Sequence, residues 1–290
     1  MNEDRASPSR LLDVSFAALS PFLGRERARR AAGYGYAVWT LLTHALRAQH
    51  GKAVLGMAWT LLVPLLFIAV YVPVMATAGI SKEVERVLGP GPFGFAIYVV
   101  SGFITWNAFS HSLQAGAACL VNNPNVVHHS PIPLSVIPLV KVLTALVTWC
   151  IGIFCILAFL AAVGRWPGIR VLLLLPLLLA WALFLHGLAL LLSSLAVFFQ
   201  DLLQIISTLL LVQFFAVPIL YLPTSLPRHL VPFMEANPLT PFLTLTHALV
   251  LPEASLTWQD IGLAVGWSIG LYFVGRWVFE RLQPALPDHI

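Results

Sequence analysis

Six apolar runs, each long enough to cross a bilayer, constrain this chain more than any other feature. The hydrocarbon core of a bilayer is about 30 Å thick and a helix rises about 1.5 Å per residue, so a span needs roughly 20 mostly apolar residues. The runs lie at about 54–79, 94–118, 135–163, 170–198, 202–222 and 260–281. They are continuous rather than alternating, and of the two structures that satisfy every backbone group in lipid this selects helices over a barrel. The sequence therefore predicts an all-α integral membrane protein with six transmembrane helices. Pro64, Pro73, Pro176 and Pro218 fall inside runs, where they kink a membrane helix without forbidding it. Composition agrees: 59% of the residues are hydrophobic and 10% charged, against about a quarter charged in a soluble domain.

The formal charge of +4 is small, so its distribution matters more than its sum. Eight of the sixteen Lys and Arg residues precede Ala53: Arg5, Arg10, Arg25, Arg27, Arg29, Arg30, Arg47 and Lys52. Such a cluster reads as a cytoplasmic face beside anionic headgroups. Nucleic acid is the rival partner for a basic tail, but the apolar chain that follows makes lipid phosphate the nearer one. An even number of spans puts both termini on one side, and the basic segment puts that side in the cytoplasm. Residues 1–34 are then a cytoplasmic segment and 35–290 a single membrane domain. The polar opening (Asn2, Glu3, Asp4, Arg5) lacks the pattern of a cleaved signal peptide. Cys119, Cys150 and Cys155 have no metal or redox spacing.

Two pieces are not plain spans. In residues 35–52, Thr40, Thr43, His44, Arg47 and His50 fall on one helical face, with Val38, Trp39, Leu42, Ala45 and Leu46 on the other. This reads as an amphipathic helix lying in the membrane surface, with Trp39 and Arg47 as its anchors. A cytosolic helix packed on the protein is the alternative. Residues 223–258 are apolar but broken by Pro223, Pro227, Pro232, Pro238, Pro241 and Pro252. They predict two short re-entrant helices in the outer leaflet, tolerated only where protein or a watery cavity surrounds them. Asn237 before Pro238 resembles a helix cap followed by proline in the first turn.

Motifs for chemistry are absent. Gly51-Lys52 has Leu46 where a phosphate-binding loop needs its first glycine, and there is no HExxH, paired cysteine or Gly-x-Ser-x-Gly. The predicted spans carry acidic residues only at the ends of the last, Asp260 and Glu280, whereas an ion-driven carrier places carboxylates at mid-membrane. His111 and His186 are intramembrane polar exceptions, as packing residues or as a proton relay. The chain reads as a conduit without a motor, and a partner must supply energy. The loop Cys119-Leu-Val-Asn-Asn-Pro-Asn-Val-Val-His-His-Ser-Pro-Ile-Pro-Leu134, on the predicted cytoplasmic side, is the candidate docking site. Asn122, Asn123 and Asn125 can cap a short helix by accepting backbone N–H bonds. His128 and His129 can donate into a partner's groove. An ordinary inter-span loop remains the alternative.

Several segments, in collinear order from about residue 40 to 285, resemble the permeases of ABC-type polysaccharide exporters, which serve O-antigen, capsule and teichoic acid. Val54-Leu-Gly-Met-Ala-Trp-Thr-Leu-Leu-Val-Pro64 resembles the opening of their first span, and Ser101-Gly-Phe-Ile-Thr-Trp-Asn-Ala-Phe109 their second-span signature. Residues 122–138 resemble their coupling-helix loop, with Ile132-Pro133 where Phe-Pro is common and His128-His129 replacing a basic pair. Phe198-Phe-Gln-Asp201 is similar to their Phe-x-Arg-Asp turn, with Gln200 for arginine. Pro218-Ile-Leu-Tyr221, Asn237-Pro-Leu-Thr-Pro241 and Arg281-Leu-Gln-Pro284 complete the pattern. The resemblance implies a homodimer of permeases in a bacterial inner membrane, bound to two copies of a separate ATPase subunit. That subunit would bind ATP and Mg, leaving this chain without a cofactor. The cargo would be a lipid-linked polysaccharide, with periplasmic export partners beyond it.

A glycan path must be wet without being sticky. Aromatic faces stack on sugar C–H faces with little directionality, and Tyr and Trp add a polar tip. Trp59, Tyr71, Tyr98, Trp106, Phe109 and Tyr221 are the candidates, against a role in packing or lipid contact. Trp39, Trp166, Trp258 and Trp277 lie near predicted interfaces and read as belt residues. Two rivals stand beside the glycan reading: an ABC permease for a drug or lipid, and a membrane-embedded enzyme acting on lipid-linked sugars. The enzyme would need converging carboxylates, a metal site or a basic cluster in the membrane.

Overall fold

The computed structural model describes residues 25–50, 92–129, 132–251 and 254–289, with positions 62, 66, 69, 70, 73 and 74. Among the described residues every regular element is helical. In chain order they are α1 (Arg25–His50), α2 (Pro92–Ala117), α3 (Pro124–His129), α4 (Val136–Ala162) and a 3-10 helix, Gly168–Leu173, that leads into α5 (Leu174–Phe198). Then come α6 (Asp201–Ala216), a 3-10 turn at Pro223–Ser225, α7 (Val231–Glu235), α8 (Thr240–Val250), α9 (Trp258–Leu282) and a final 3-10 helix, Gln283–His289.

Among the described residues three helical stretches are long and apolar enough to cross a membrane: Val136–Ala162, Gly168–Phe198 and Trp258–His289. The first two match the third and fourth predicted spans within two residues, and the last covers the sixth and runs eight residues beyond it. Multi-pass insertion follows from them. The second predicted span coincides with α2, a 26-residue helix outside those three stretches, along which Ser101, Thr105, Ser110 and Ser112 are all buried. The first predicted span, 54–79, lies largely outside the described residues; its six described positions are helical, with Leu66, Val70 and Val74 on one exposed face.

The fifth predicted span, 202–222, is corrected. Its helix, α6, has 16 residues and stops at Ala216, about 24 Å of helix against about 30 Å of hydrocarbon. Pro218 is the reason, because it offers no N–H and its ring clashes with the preceding turn. Val217 is already extended, and the chain turns back into the protein as α7 and α8.

α8 is a helix too short to span and buried on nearly every side, from Thr240 to Val250 with only Thr244 half-exposed. Backbone of this kind at membrane depth requires protein around it, and α8 obtains it from α2 and α5. Phe242 packs tilted against both Trp181 and Phe184 of α5, at 4.5 and 4.8 Å between centroids. Asn237 stands just before α8: its Oδ1 accepts the Leu239 N–H at 3.0 Å and the Gln213 side-chain amide at 2.8 Å. The cap read at Asn237 is corrected: the helix is capped at Leu239 with Pro241 in its first turn, and Asn237 instead closes the turn before it and ties this segment to α6.

α5 and α9 cross at Gly187 and Gly275. A Cβ built on Gly275 would stand 2.0 Å from the Gly187 carbonyl oxygen. In lipid no hydrophobic effect drives helices together, so close backbone approach through small residues supplies the packing. Ser268 on α9 adds a hydrogen bond from its hydroxyl to the Ala180 carbonyl at 2.8 Å. α9 itself begins at a cap, where Thr257 Oγ1 accepts the Asp260 N–H and Asp260 sits favourably at the positive end of the helix dipole.

Candidate functional site

The connecting segments gather at two opposite ends of the bundle. One end holds the turns after α2, α3, the α5–α6 turn and the 3-10 helix Gln283–His289. The other holds Gly168–Leu173, α7, α8 and the entry to α9, with Arg170 donating to the Ala254 carbonyl at 3.5 Å.

At the first end, Cys119, Leu120, Val127, Leu134, Leu190, Val197, Phe279 and Leu286 form a small buried cluster, separate from the main core. α3 starts on the Asn123 carbonyl, which accepts the N–H groups of Val126 and Val127 at 3.1 and 3.3 Å. The expected side-chain cap is corrected at Asn123. Its amide donates to the Cys119 carbonyl at 2.8 Å, closing the end of α2 instead of opening α3. Asn122, Asn123, Asn125, Val126 and His128 are exposed and only Val127 turns inward. His129 belongs to α3, and its side chain lies outside the described residues. Burial pushes the Cys119 thiol up to about 12, partly offset by the charge of nearby Lys141. Lys141 sits early in α4, a cation inside a predicted span that the sequence reading passed over. Its long apolar stem lets such a charge reach the membrane surface from within the last turns of a span.

Of the predicted aromatic set, Trp59 and Tyr71 lie outside the described residues. Tyr98 and Phe109 are 3% and 5% exposed, so in this arrangement both are occupied with packing inside one chain. Phe109 stacks toward Trp181 and Phe184. Tyr98 reaches the non-helical stretch after α6, its hydroxyl shared between the carbonyls of Pro218 and Tyr221 at 3.0 and 2.9 Å. Tyr221 and Trp106 are half-buried. Trp106 meets Phe214 of α6 edge to face at 4.8 Å, and its Nε1 has no hydrogen-bond acceptor among the described residues.

α6 carries the feature that the sequence reading missed. Only Ile206 and Leu210 are buried, and Gln204, Ser207 and Thr208 lie exposed among Ile205, Leu209, Leu211 and Val212. Ser207 and Thr208 donate to their own helix, to the carbonyls of Leu203 and Gln204 at 2.9 and 3.0 Å. The Gln204 amide is too polar for hydrocarbon, and groups like it in spans face protein or water. The signal was present in the spacing: Gln204 and Thr208 are one turn apart, with Ser207 beside them.

α1 begins ten residues before the predicted interface helix and packs against α4. Trp39 is exposed, as are His44 and Arg47. Trp39, Thr43 and Arg47 are spaced by single turns, so the ring shares its face with the charge. Among the described residues no three His, Cys, Asp or Glu side chains converge to hold a metal.

A family model described as "ABC-2 type transporter" matches residues 36–250, from α1 through the end of α8. The chain belongs to that family. It is thus a membrane subunit of a transporter and not an enzyme in its own right. As an ABC-2 chain it has relatives that match it nearly end to end. An "O-antigen export system permease protein RfbA" from Klebsiella pneumoniae is 26% identical over 253 residues, covering 87% of this chain and 94% of the relative. A protein of the same name from Myxococcus xanthus is 27% identical over 257 residues, with the same coverage of each.

Proposed function

We propose that this chain is the channel-forming subunit of an exporter that moves a lipid-linked polysaccharide, of O-antigen, capsular or teichoic type, across a bacterial inner membrane. Two copies of the chain pair with two copies of a separate ATPase subunit, which binds ATP and Mg. The match to O-antigen export permeases along most of the chain carries this reading.

The exposed polar face of α6 supports a second copy of the chain and a wet path beside it. Gln204, Ser207 and Thr208 need protein or water, and a paired α6 would provide both. Beside this face stand Trp106, Phe214 and, beyond the helix end, Tyr221. Stacking rings next to amide and hydroxyl groups suit a sugar chain that must slide without being held. Tyr98 and Phe109 hold this wall in position from inside the chain.

With the basic N-terminal segment in the cytoplasm, the end bearing α3 is cytoplasmic and the end bearing α7 and α8 is periplasmic. The ATPase then docks on exposed Asn122, Asn123, Asn125 and His128, with His129 in the same short helix. ATP-driven closure of the ATPase pushes α3 and α1, and the dimer interface opens for the glycan. The test is export by the assembled complex in proteoliposomes, following protection of a lipid-linked glycan from an external glycosidase. ATP-dependent appearance of the glycan on the far side is expected. A complex that hydrolyses ATP and moves a fluorescent phospholipid or a drug, but no glycan, would replace this cargo with the rival class.

A further inference from the structure

We infer that the 3-10 helix Gln283–His289 is a strut of the coupling device, and that Leu286 is the positioning residue through which α3 acts on the bundle. The inference rests on the reading of α3 as the ATPase docking helix.

α3 is held to the rest of the chain by little. Between Asn122 and His128 only Val127 is buried. A load applied to the exposed residues must therefore pass through Val127 and the short connections on either side. Val127 lies in the same cluster as Leu286, which is fully buried, and as Phe279 of α9 and Leu190 and Val197 of α5. The 3-10 helix packs against α3, α5 and α9 together. His289 closes it on the α5–α6 turn, its ring 4.7 Å from that of Phe198. The three elements it touches are the docking helix, the helix that leads into polar-faced α6, and α9, which locks α5 at Gly187.

The segment is also built to be stiff. A 3-10 helix of this length does not persist without tertiary support, because its hydrogen bonds are poorly aligned. Leu286 supplies that support, and Pro284 and Pro287 fix the backbone on both sides of it. A stiff segment passes on displacement, whereas a loose one absorbs it. The family match covers residues 36–250, and the strut lies C-terminal to that range.

The assay is the ratio of glycan exported to ATP hydrolysed by the full complex, for wild type, L286A, L286M, and a variant with residues 122–128 replaced by Gly and Ser. For L286A, hydrolysis within about twofold of wild type and an export-to-hydrolysis ratio lowered about fivefold or more are expected, with L286M restoring the ratio. The residue 122–128 variant should show the same uncoupling. If that variant uncouples while L286A keeps the wild-type ratio, the strut is refuted and the docking reading stands. If the residue 122–128 variant itself exports normally, the docking reading falls and the strut with it. Should L286A fail to assemble, L286V is read on the same ratio, and an unchanged ratio there refutes the strut.

Discussion

The imidazole of His247 lies on the ring of Tyr98, with centroids 3.9 Å apart and planes 25° from parallel. The pair joins buried α8 to α2. Gly102, one turn along α2 from Tyr98, leaves the room: a Cβ there would stand 2.9 Å from His247 Nε2. The Tyr98 hydroxyl then reaches the two carbonyls of the stretch where Pro218 has ended α6. One residue of α2 thereby holds both the start and the end of the segment between α6 and the end of α8.

Tyr98→Phe keeps the stacking on His247 and removes the hydroxyl donor. Two carbonyls then lose their partner in a buried setting, which costs about 1–3 kcal/mol. Thermal unfolding in detergent should shift to lower temperature. An unchanged midpoint would mean that the Pro218 and Tyr221 carbonyls are satisfied in another way.

Gly275→Ala should abolish the folded protein. The added methyl would meet the Gly187 carbonyl, a backbone atom that cannot rotate aside, so α5 and α9 must part. Gly270→Ala on the same helix faces open space and should be silent. Monodisperse yield from size-exclusion chromatography separates the two, and equal yields would contradict the crossing at Gly187.

Trp106→Ala should slow export more than it weakens assembly, by about fivefold at constant complex yield. Gln204→Leu should act in the same direction by making the α6 face apolar. Both are measured as glycan export per assembled complex. Normal export by both variants would take the Trp106 and α6 wall off the glycan path.

Cys119 should resist maleimide at pH 7.5 in the folded protein and react readily once unfolded. Two facts act together: the side chain is 2% exposed, and burial holds its thiol well above the ordinary range, at about 12. Because the thiolate is the reactive species, raising the pH to 9 should leave the folded protein unlabelled. Mass spectrometry on a background lacking Cys150 and Cys155 reads this directly. Fast labelling at neutral pH would mean that the cluster around Val127 and Leu286 is open.

Hydropathy carried much of the fold because a bilayer imposes one length on every span. It located α2, α4, α5 and α9 within a few residues, and the prolines after Tyr221 marked the segment of short helices α7 and α8. It overran α6, since the apolar run continues through Pro218 and apolar content does not record where a proline ends a helix. The aromatic candidates were chosen by residue type and position, and type cannot separate Trp106, on the edge of α6, from Tyr98 and Phe109 in the interior. That distinction depends on which helices face one another. The same limit hid Gln204, Ser207 and Thr208, whose exposure follows from α6 burying only Ile206 and Leu210. The short helix α3 was legible as a polar loop with asparagines, but the buried cluster that joins Val127 to Leu286 brings together residues far apart in sequence.

Co-purification of this chain from detergent with the ATPase encoded beside it tests the motor-and-conduit account most directly. A stable complex with two copies of each subunit, hydrolysing ATP, is the expected result. A chain that purifies alone from cells expressing both, with no ATPase bound, would contradict it.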